Sequence, residues 1–388
     1  MFRQRLLLLL AALPVLGVQP LLAQVQVGTC KPDLQSFPTI SAAVSTVPAF
    51  TIIDVCPGTY PEQVTITKPL TLQGVTVGTA NQALITVPPA GLLPNTISMF
   101  GESVAAQVLV EGAGQVNITN IAVDGTGGDM LCNGNIWIAA IFYGSGSTGI
   151  VNRVRASGQV DGTCGVGIWA ENSNSTNEWV TIRNSSVYNV DSAGIFVGSG
   201  PTPTLTVDVD NDVVTASAAL AAIDADSVNG EVEANSVSNA TFGVFDLSPT
   251  VTVASNAIVG TNNGLYLGSG GRAVGNHVAG SRIDGVLLGA SGATLTNNRI
   301  VSSATAGVEL GCFAASVNGN IINDVAVGFD AASGSIPSNN ILYNTATTIT
   351  NGCAVAAAAL RTSLRAARSA NSQQQWHTPA TPFGTRTK

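Results

Sequence analysis

The sequence predicts an all-β chain wound as a right-handed parallel β-helix, and three observations carry that reading. Gly243, Gly264, Gly285, Gly307 and Gly328 follow one another at intervals of 21, 21, 22 and 21 residues. Asn235, Asn256, Asn276, Asn298, Asn320 and Asn340 form a second series, out of phase with the first, at intervals of 21, 20, 22, 22 and 20. Between these markers lie alternating runs of Val, Ile, Leu and Thr, too short for helices and broken by Gly, Asn and Ser. Two locked periods of this length define a repeat.

A unit of roughly 21–22 residues cannot cover its own apolar side, so units must stack as coils. Each strand then pairs with its counterpart one turn later, about 4.8 Å away. Asparagines at equivalent turns pile up, because Asn tolerates the left-handed conformation a tight turn needs and its amide bonds along the stack. Apolar residues flank the series at fixed offsets, Val253 and Ile258 around Asn256, Leu295 and Ile300 around Asn298. These words and their spacing resemble the right-handed β-helix repeat proteins of the pectin-lyase-like superfamily, from about Thr39 to Asn351. The resemblance implies the fold and no particular activity.

A chain of 388 residues can hold two or three domains, but an unbroken solenoid makes one long domain, expected here over residues 24–353. Low charge, 10% of residues, suits coils that bury alternate side chains along every strand. Residues 24–353 keep eight of the 15 Lys and Arg against all 23 Asp and Glu. Such a surface excludes nucleic acid as a partner and repels a bare polyuronate unless a cation intervenes.

Residues 1–23 read as a secretory signal: Arg3 and Arg5 precede an apolar run from Leu6, and Ala23 offers a small residue for cleavage. No membrane span is expected after its removal, and export makes six cysteines meaningful as disulfides. Pro38-Thr39 opens a short amphipathic helix with Ile40, Ala43, Val44 and Val47 on one side, expected to cap the first coil. Cys30 and Cys56 bracket this segment and are paired. Pro57 to Gly74 is similar to the opening coil of β-helix proteins at large, pectin methylesterases included. Prolines 88, 89 and 94 point to a protruding loop before Gly114. Insertions at residues 125–135 and 157–163 bring Cys132 and Cys164 to neighbouring coils, where they can bridge. Cys312 and Cys353 lie two coils apart, about 10 Å by strand spacing, and bridge only if the last coil bends inward. Residues 354–370, rich in Ala, are expected to form a second helical cap, and residues 371–388 a disordered tail.

The second residue after each glycine should face outward. The resulting row reads Trp169, Phe196, Asp224, Phe245, Tyr266, Leu287, Glu309 and Asp330. In enzymes of the resembling superfamily this sheet floors the substrate groove. The aromatic members Trp169, Phe196, Phe245 and Tyr266 are therefore candidate sugar-binding platforms, with packing under neighbouring loops as the alternative. Strict register buries Asp246 beside Phe245; a slip of one residue would turn Phe245 inward. Glu309 and Asp330, one coil apart, can share a proton or act as a carboxyl pair, and with Asp224 are the candidate catalytic acids. Asp208 and Asp210 should stand beside Glu231 and Glu233, with Arg183 one coil back facing Asp210. This is a candidate Ca²⁺ site, hydration and Arg183 being the other way to relieve four like charges. His277 follows Asn276 at a turn, where solvent exposure is the ordinary outcome.

The Asn-Thr-Asp-Gly, Gly-Asp-Asp and Gly-His-Gly words of polygalacturonases are missing, and Ile283-Asp284-Gly285 echoes only a fragment. The pectate-lyase and pectin-methylesterase words are missing too, as is any Ser/His/Asp, Cys/His or phosphate-loop arrangement. The sequence therefore reads as a secreted β-helix protein that binds extracellular or cell-surface polysaccharide without a recognisable catalytic motif. A polysaccharide lyase or glycoside hydrolase, and a structural or adhesive spacer, are the alternatives; the oligomeric state is left open.

Overall fold

In the computed structural model the described residues are 23–76, 83–128, 136–160, 162–200, 202, 204–216, 219–331 and 339–350. The expected signal (but for Ala23), the expected C-terminal cap and tail, Cys132 and Cys353 lie outside them. Thirteen strands form one sheet and 23 the other. In each regular coil the first sheet takes one strand and the second takes two, as in Thr250–Ala254, Ala257–Val259 and Asn263–Leu267. Pairing is parallel, coil on coil, except that Thr96–Ile97 runs antiparallel to Ser103–Val104.

The inward side chains of each strand meet in one continuous core. Val244, Leu265, Val286, Val308 and Phe329 are successive register partners, all fully buried. The periodic glycines are required by steric contact with the next coil. A Cβ on Gly264 would lie 2.4 Å from the carbonyl oxygen of Gly285 and 2.2 Å from Val278 Cγ1, and Gly243 and Gly285 are equally confined. The residue at this corner must present bare backbone so that the following coil can nest against it.

The N-terminal segment matches its reading. The helix spans Ile40–Thr46 and buries Ile40, Ala43 and Val44 in the core of the first coils. Thr39 Oγ1 accepts from Ala42 N, and the Glu62 carboxylate accepts from the backbone N–H groups of Ile40 and Ser41 at 2.9 Å each. Those are the free donors that open any helix. Cys30 and Cys56 are joined, their Cα atoms 5.6 Å apart. Cys164 and Cys312 each take part in a separate disulfide, not with each other.

The asparagine series forms a hydrogen-bonded ladder. Asn256 Oδ1 accepts the backbone N–H of Asn235 at 2.9 Å and its Nδ2 at 3.0 Å; Asn276, Asn298, Asn320 and Asn340 repeat the pair on the next coils. Each Nδ2 also donates to a strand carbonyl, Asn276 to Val253 and Asn298 to Ala273. The left-handed residue of this turn is the one before the ladder asparagine: Ala234, Ser255, Gly275, Asn297, Gly319 and Asn339 all have φ between 54° and 69°. The sequence reading gave one asparagine both tasks. The turn divides them, because the ladder side chain must point inward while its predecessor takes the backbone reversal.

One rung is not an amide. Asp212 precedes Asn235 in the ladder, giving its N–H to Asn235 Oδ1 and accepting from Ser185 N at 2.6 Å. Its Oδ2, where the asparagine rungs that follow carry an NH₂ donor, is buried without a hydrogen-bond partner. Burial pushes the Asp212 acid up to about 8, with Asp210 and Asp208 raising it further.

Two stability tests follow from the ladder. Asn276→Ala strands the Asn256 N–H and the Val253 carbonyl, and should cost about 2–4 kcal/mol in denaturant unfolding. Asp212→Asn restores the missing donor. Because the folded-state acid sits above its unfolded value, the stability it lends is full below about pH 4 and is lost as pH rises through about 8. The asparagine variant should therefore gain about 1–3 kcal/mol over the parent near pH 9, and markedly less near pH 5, read as the shift in urea midpoint.

Candidate functional site

The outward row on the glycine-led sheet exists in the predicted register. Trp169 pairs with Phe196, Phe196 with Asp224, Asp224 with Phe245, Phe245 with Tyr266, Tyr266 with Leu287, Leu287 with Glu309, and Glu309 with Asp330. Strict register holds at Asp246, which is buried facing inward while Phe245 stays in the row. Asp246 takes a hydrogen bond from Ser248 N, and burial raises it to about 8.

The aromatic members are not open platforms. Trp169, Phe196, Phe245 and Tyr266 are 2%, 7%, 2% and 4% exposed. Phe245 and Tyr266 stack on each other, centroids 4.6 Å apart and planes 8° from parallel. The cause is the ladder spacing: rings at one register on adjacent coils stand at stacking distance, so their faces meet along the helix axis. Trp169 and Phe196 are covered differently. They pack edge to face at 5.2 Å, and the tip of the 96–104 hairpin lies over them, Phe100 edge-on to Phe196 at 5.9 Å. The offset of two residues from glycine fixed the register, and what lies above the row comes from outside the repeat.

The hairpin brings in two carboxyls that the sequence reading did not select. Glu171 is buried and accepts from Trp169 Nε1 at 2.9 Å and from Met99 N at 2.7 Å. Burial pushes it up to about 8, against those two hydrogen bonds. Glu102, on the hairpin, is raised to about 7 by burial and bonds the Trp137 side chain. Alternation places Glu171 two residues beyond Trp169 on the same face, so the strand pattern could have found it; Glu102 could not be placed without the hairpin.

Farther along the row lies a carboxyl group of three. Glu309 is hydrogen-bonded to Asp330, accepts from Gly311 N at 3.1 Å, and is raised to about 8 by burial and then by Asp330 and Asp284. Asp284, beside Gly285, accepts from Ala306 N at 3.1 Å and is raised to about 6, first by burial and then against Asp330. Glu309 is buried and Asp330 partly exposed. Asp224, the third candidate acid, is buried between Phe196 and Phe245 and lies three coils before Asp284 and four before Glu309.

On the other sheet Asp208 pairs with Glu231 and Asp210 with Glu233, and Arg183 pairs with Asp210, as read. Among the described residues no group of three or more acidic, His or Cys side chains is disposed to hold a metal ion. The expected Ca²⁺ ligands Asp208, Asp210, Glu231 and Glu233 do not form such a group in this arrangement. In-register side chains leave a flat sheet side by side, whereas Ca²⁺ needs oxygens converging on one point. Asp208 and Glu233 are both raised, by burial first and then by their acidic neighbours, with the Arg183 charge pulling Asp208 the other way. His277 is exposed, in register with Ala257 and Arg299.

Comparison with known proteins agrees with this architecture. The family described as "Right handed beta helix region" matches residues 166–310. No curated protein sequence matches the chain. Among solved structures it is similar to the GH136 lacto-N-biosidase from Eubacterium ramulus, at 10% identity and TM-score 0.51, covering 83% of this chain and 68% of that one. It is also similar to the A-module of the mannuronan C-5 epimerase AlgE6 of Azotobacter vinelandii, at 18% identity and TM-score 0.43, covering 80% and 94%. The periplasmic alginate epimerase AlgG is matched at 14% identity and TM-score 0.43, over 80% and 83%. The register, the asparagine ladder and the family match together identify the chain as a right-handed parallel β-helix protein.

Proposed function

We propose that this is a secreted protein that recognises a polysaccharide on the outer face of its glycine-led sheet, at the Asp284–Glu309–Asp330 end of the row. The observation that carries the reading is the hydrogen-bonded Glu309–Asp330 pair. It holds the partly exposed Asp330 against the buried Glu309, so that the Asp330 oxygens stand on the outer face where they can accept from the hydroxyls of a sugar ring. The repeat supports it: a face with one register per coil suits a ligand with one unit per step. The lacto-N-biosidase of the same fold acts, by its name, on a glycan. The acidic body favours a neutral or amino-bearing glycan over a polyuronate. The disulfide between Cys30 and Cys56 supports an oxidising compartment.

A second reading, glycoside hydrolysis, is favoured by the same pair. A carboxyl kept protonated near neutral pH beside a second carboxyl is the arrangement that acid-assisted glycoside cleavage uses. Glu309 would give its proton to the leaving oxygen as the glycosidic bond breaks, and water would form the new bond at the anomeric carbon; Asp330, hydrogen-bonded to Glu309 on the same face, would hold that proton in position.

A panel of neutral, amino and uronic glycans tests both readings. Binding of a neutral or amino glycan that weakens about tenfold or more in Asp330→Asn, about 1.4 kcal/mol, is the expected result. Tyr266→Ala, whose ring face is already taken by Phe245, should weaken it less. Release of new reducing ends, lost in Glu309→Gln, would replace binding with hydrolysis. No binding across the panel would leave a structural or adhesive spacer.

A further inference from the structure

The hairpin at residues 96–104 departs from the solenoid pattern. Its two short strands pair antiparallel, and its tip bonds to itself: Ser98 N donates to Glu102 O at 2.8 Å and Gly101 N to Ser98 O at 2.9 Å. Its base is pinned, since Asn95 accepts from Ala106 N at 2.9 Å and gives its Nδ2 to Ala106 O at 3.0 Å. Besides the Glu102 bond to Trp137, three contacts hold the tip down on the sheet. Met99 N donates to Glu171, Met99 Cε seats on bare Gly198, and Phe100 meets Phe196. The upper side of the hairpin covers nothing: Ile97 is 69% and Phe100 48% exposed. A pinned base, a tip held by few bonds and an aromatic floor beneath it are the parts of a lid.

The charges at this contact are of one sign. Glu171 lies in the floor and Glu102 in the lid, and the Glu102 charge adds to the burial that raises Glu171. Glu111 stands at the hairpin base, within reach of Thr96 Oγ1 at 3.4 Å. Each carboxyl holds one indole N–H, Glu171 that of Trp169 and Glu102 that of Trp137, and the two tryptophans meet edge to face at 5.7 Å. While both acids are neutral the lid closes without opposed charge. Once both are ionised, two carboxylates face each other in a site with little water, and a lid fastened by few bonds is what yields.

We propose that the 96–104 hairpin is a proton-dependent lid over a latent aromatic site, closed by Met99 and Phe100 on the Glu171–Trp169–Phe196 floor and released when Glu102 and Glu171 both carry charge. Opening would bare Trp169 and Phe196, which the closed form fills with the chain's own Met99 and Phe100 in place of an outside apolar group. The direction is fixed by linkage. The closed state holds both acids above their ordinary values, so opening releases protons; closure is firmest below about pH 4.5 and is lost as pH rises through about 7 and about 8, with no further change above. This device stands apart from the glycan reading, because it is read with no ligand present.

Amide exchange of residues 98–102 in the full chain, corrected for the intrinsic pH dependence of exchange, measures lid opening directly. The opening constant should rise at least about a hundredfold between about pH 5 and about pH 9 and then level off, while the ladder amides of Asn256 and Asn276 stay protected. Quenching of tryptophan fluorescence by acrylamide should rise over the same range. Glu102→Gln keeps an oxygen for the Trp137 indole and removes one charge, so its rise should be distinctly shallower. The lid is overturned if residues 98–102 show no rise in the parent protein, or if Glu102→Gln rises as steeply. A rise shared equally by the ladder amides would report general loosening and overturn it as well.

Discussion

Everything in this molecule depends on one constraint, that each coil must lie on the next without a shift in register. The asparagine ladder enforces it. A rung's side-chain oxygen takes both the backbone N–H and the amide of the rung before it, and its own amide closes on a strand carbonyl. A slip of one residue would break all of these at once and turn every inward valine to solvent. The glycine corner works with the ladder: amides fix the height of each coil, and the bare backbone lets the coils approach that closely.

Register of this kind makes rows, and rows impose their own chemistry. Whatever residue type recurs at one position meets its own kind a coil away. Rings stack face on face, as Phe245 and Tyr266 do, and spend on each other the surface a ligand would use. Acids meet acids, and the buried ones keep their protons, as at Glu309 beside Asp330 and at Asp212 beside Asp208 and Asp210. A solenoid with so few basic side chains resolves crowding of negative charge chiefly by titration. Its candidate functional groups are therefore neutral carboxyls.

What could be read before the structure was whatever repeats. Spacing alone placed Trp169 through Asp330 in one row, put Asp208 beside Glu231, and forced Asp246 inward, because a period-two strand stacked in register leaves no freedom in those assignments. Burial above the row could not be read. It comes from the 96–104 hairpin, which carries no period and reaches Trp169 and Phe196 across more than sixty residues of chain. Spacing also says nothing of convergence, since neighbours on a flat sheet point side by side, as Asp208 and Glu231 do. The ladder's division of labour, left-handed residue first and amide second, was visible in Asn297-Asn298 and Asn339-Asn340 but hidden where Ser255 or Ala234 takes the first position.

The amide rungs also bear on how such a chain changes length. Each asparagine from 235 to 340 presents the same donors to one side and the same acceptor to the other, so any coil in that span could be copied or excised with the neighbours rejoining like for like. Asp212 ends that interchangeability. It offers an oxygen where its successors offer nitrogen, and the coil before it is held by Ser185 instead. Gain or loss of coils across a lineage should therefore concentrate on the C-terminal side of this acid, leaving the stretch that carries the hairpin at constant length.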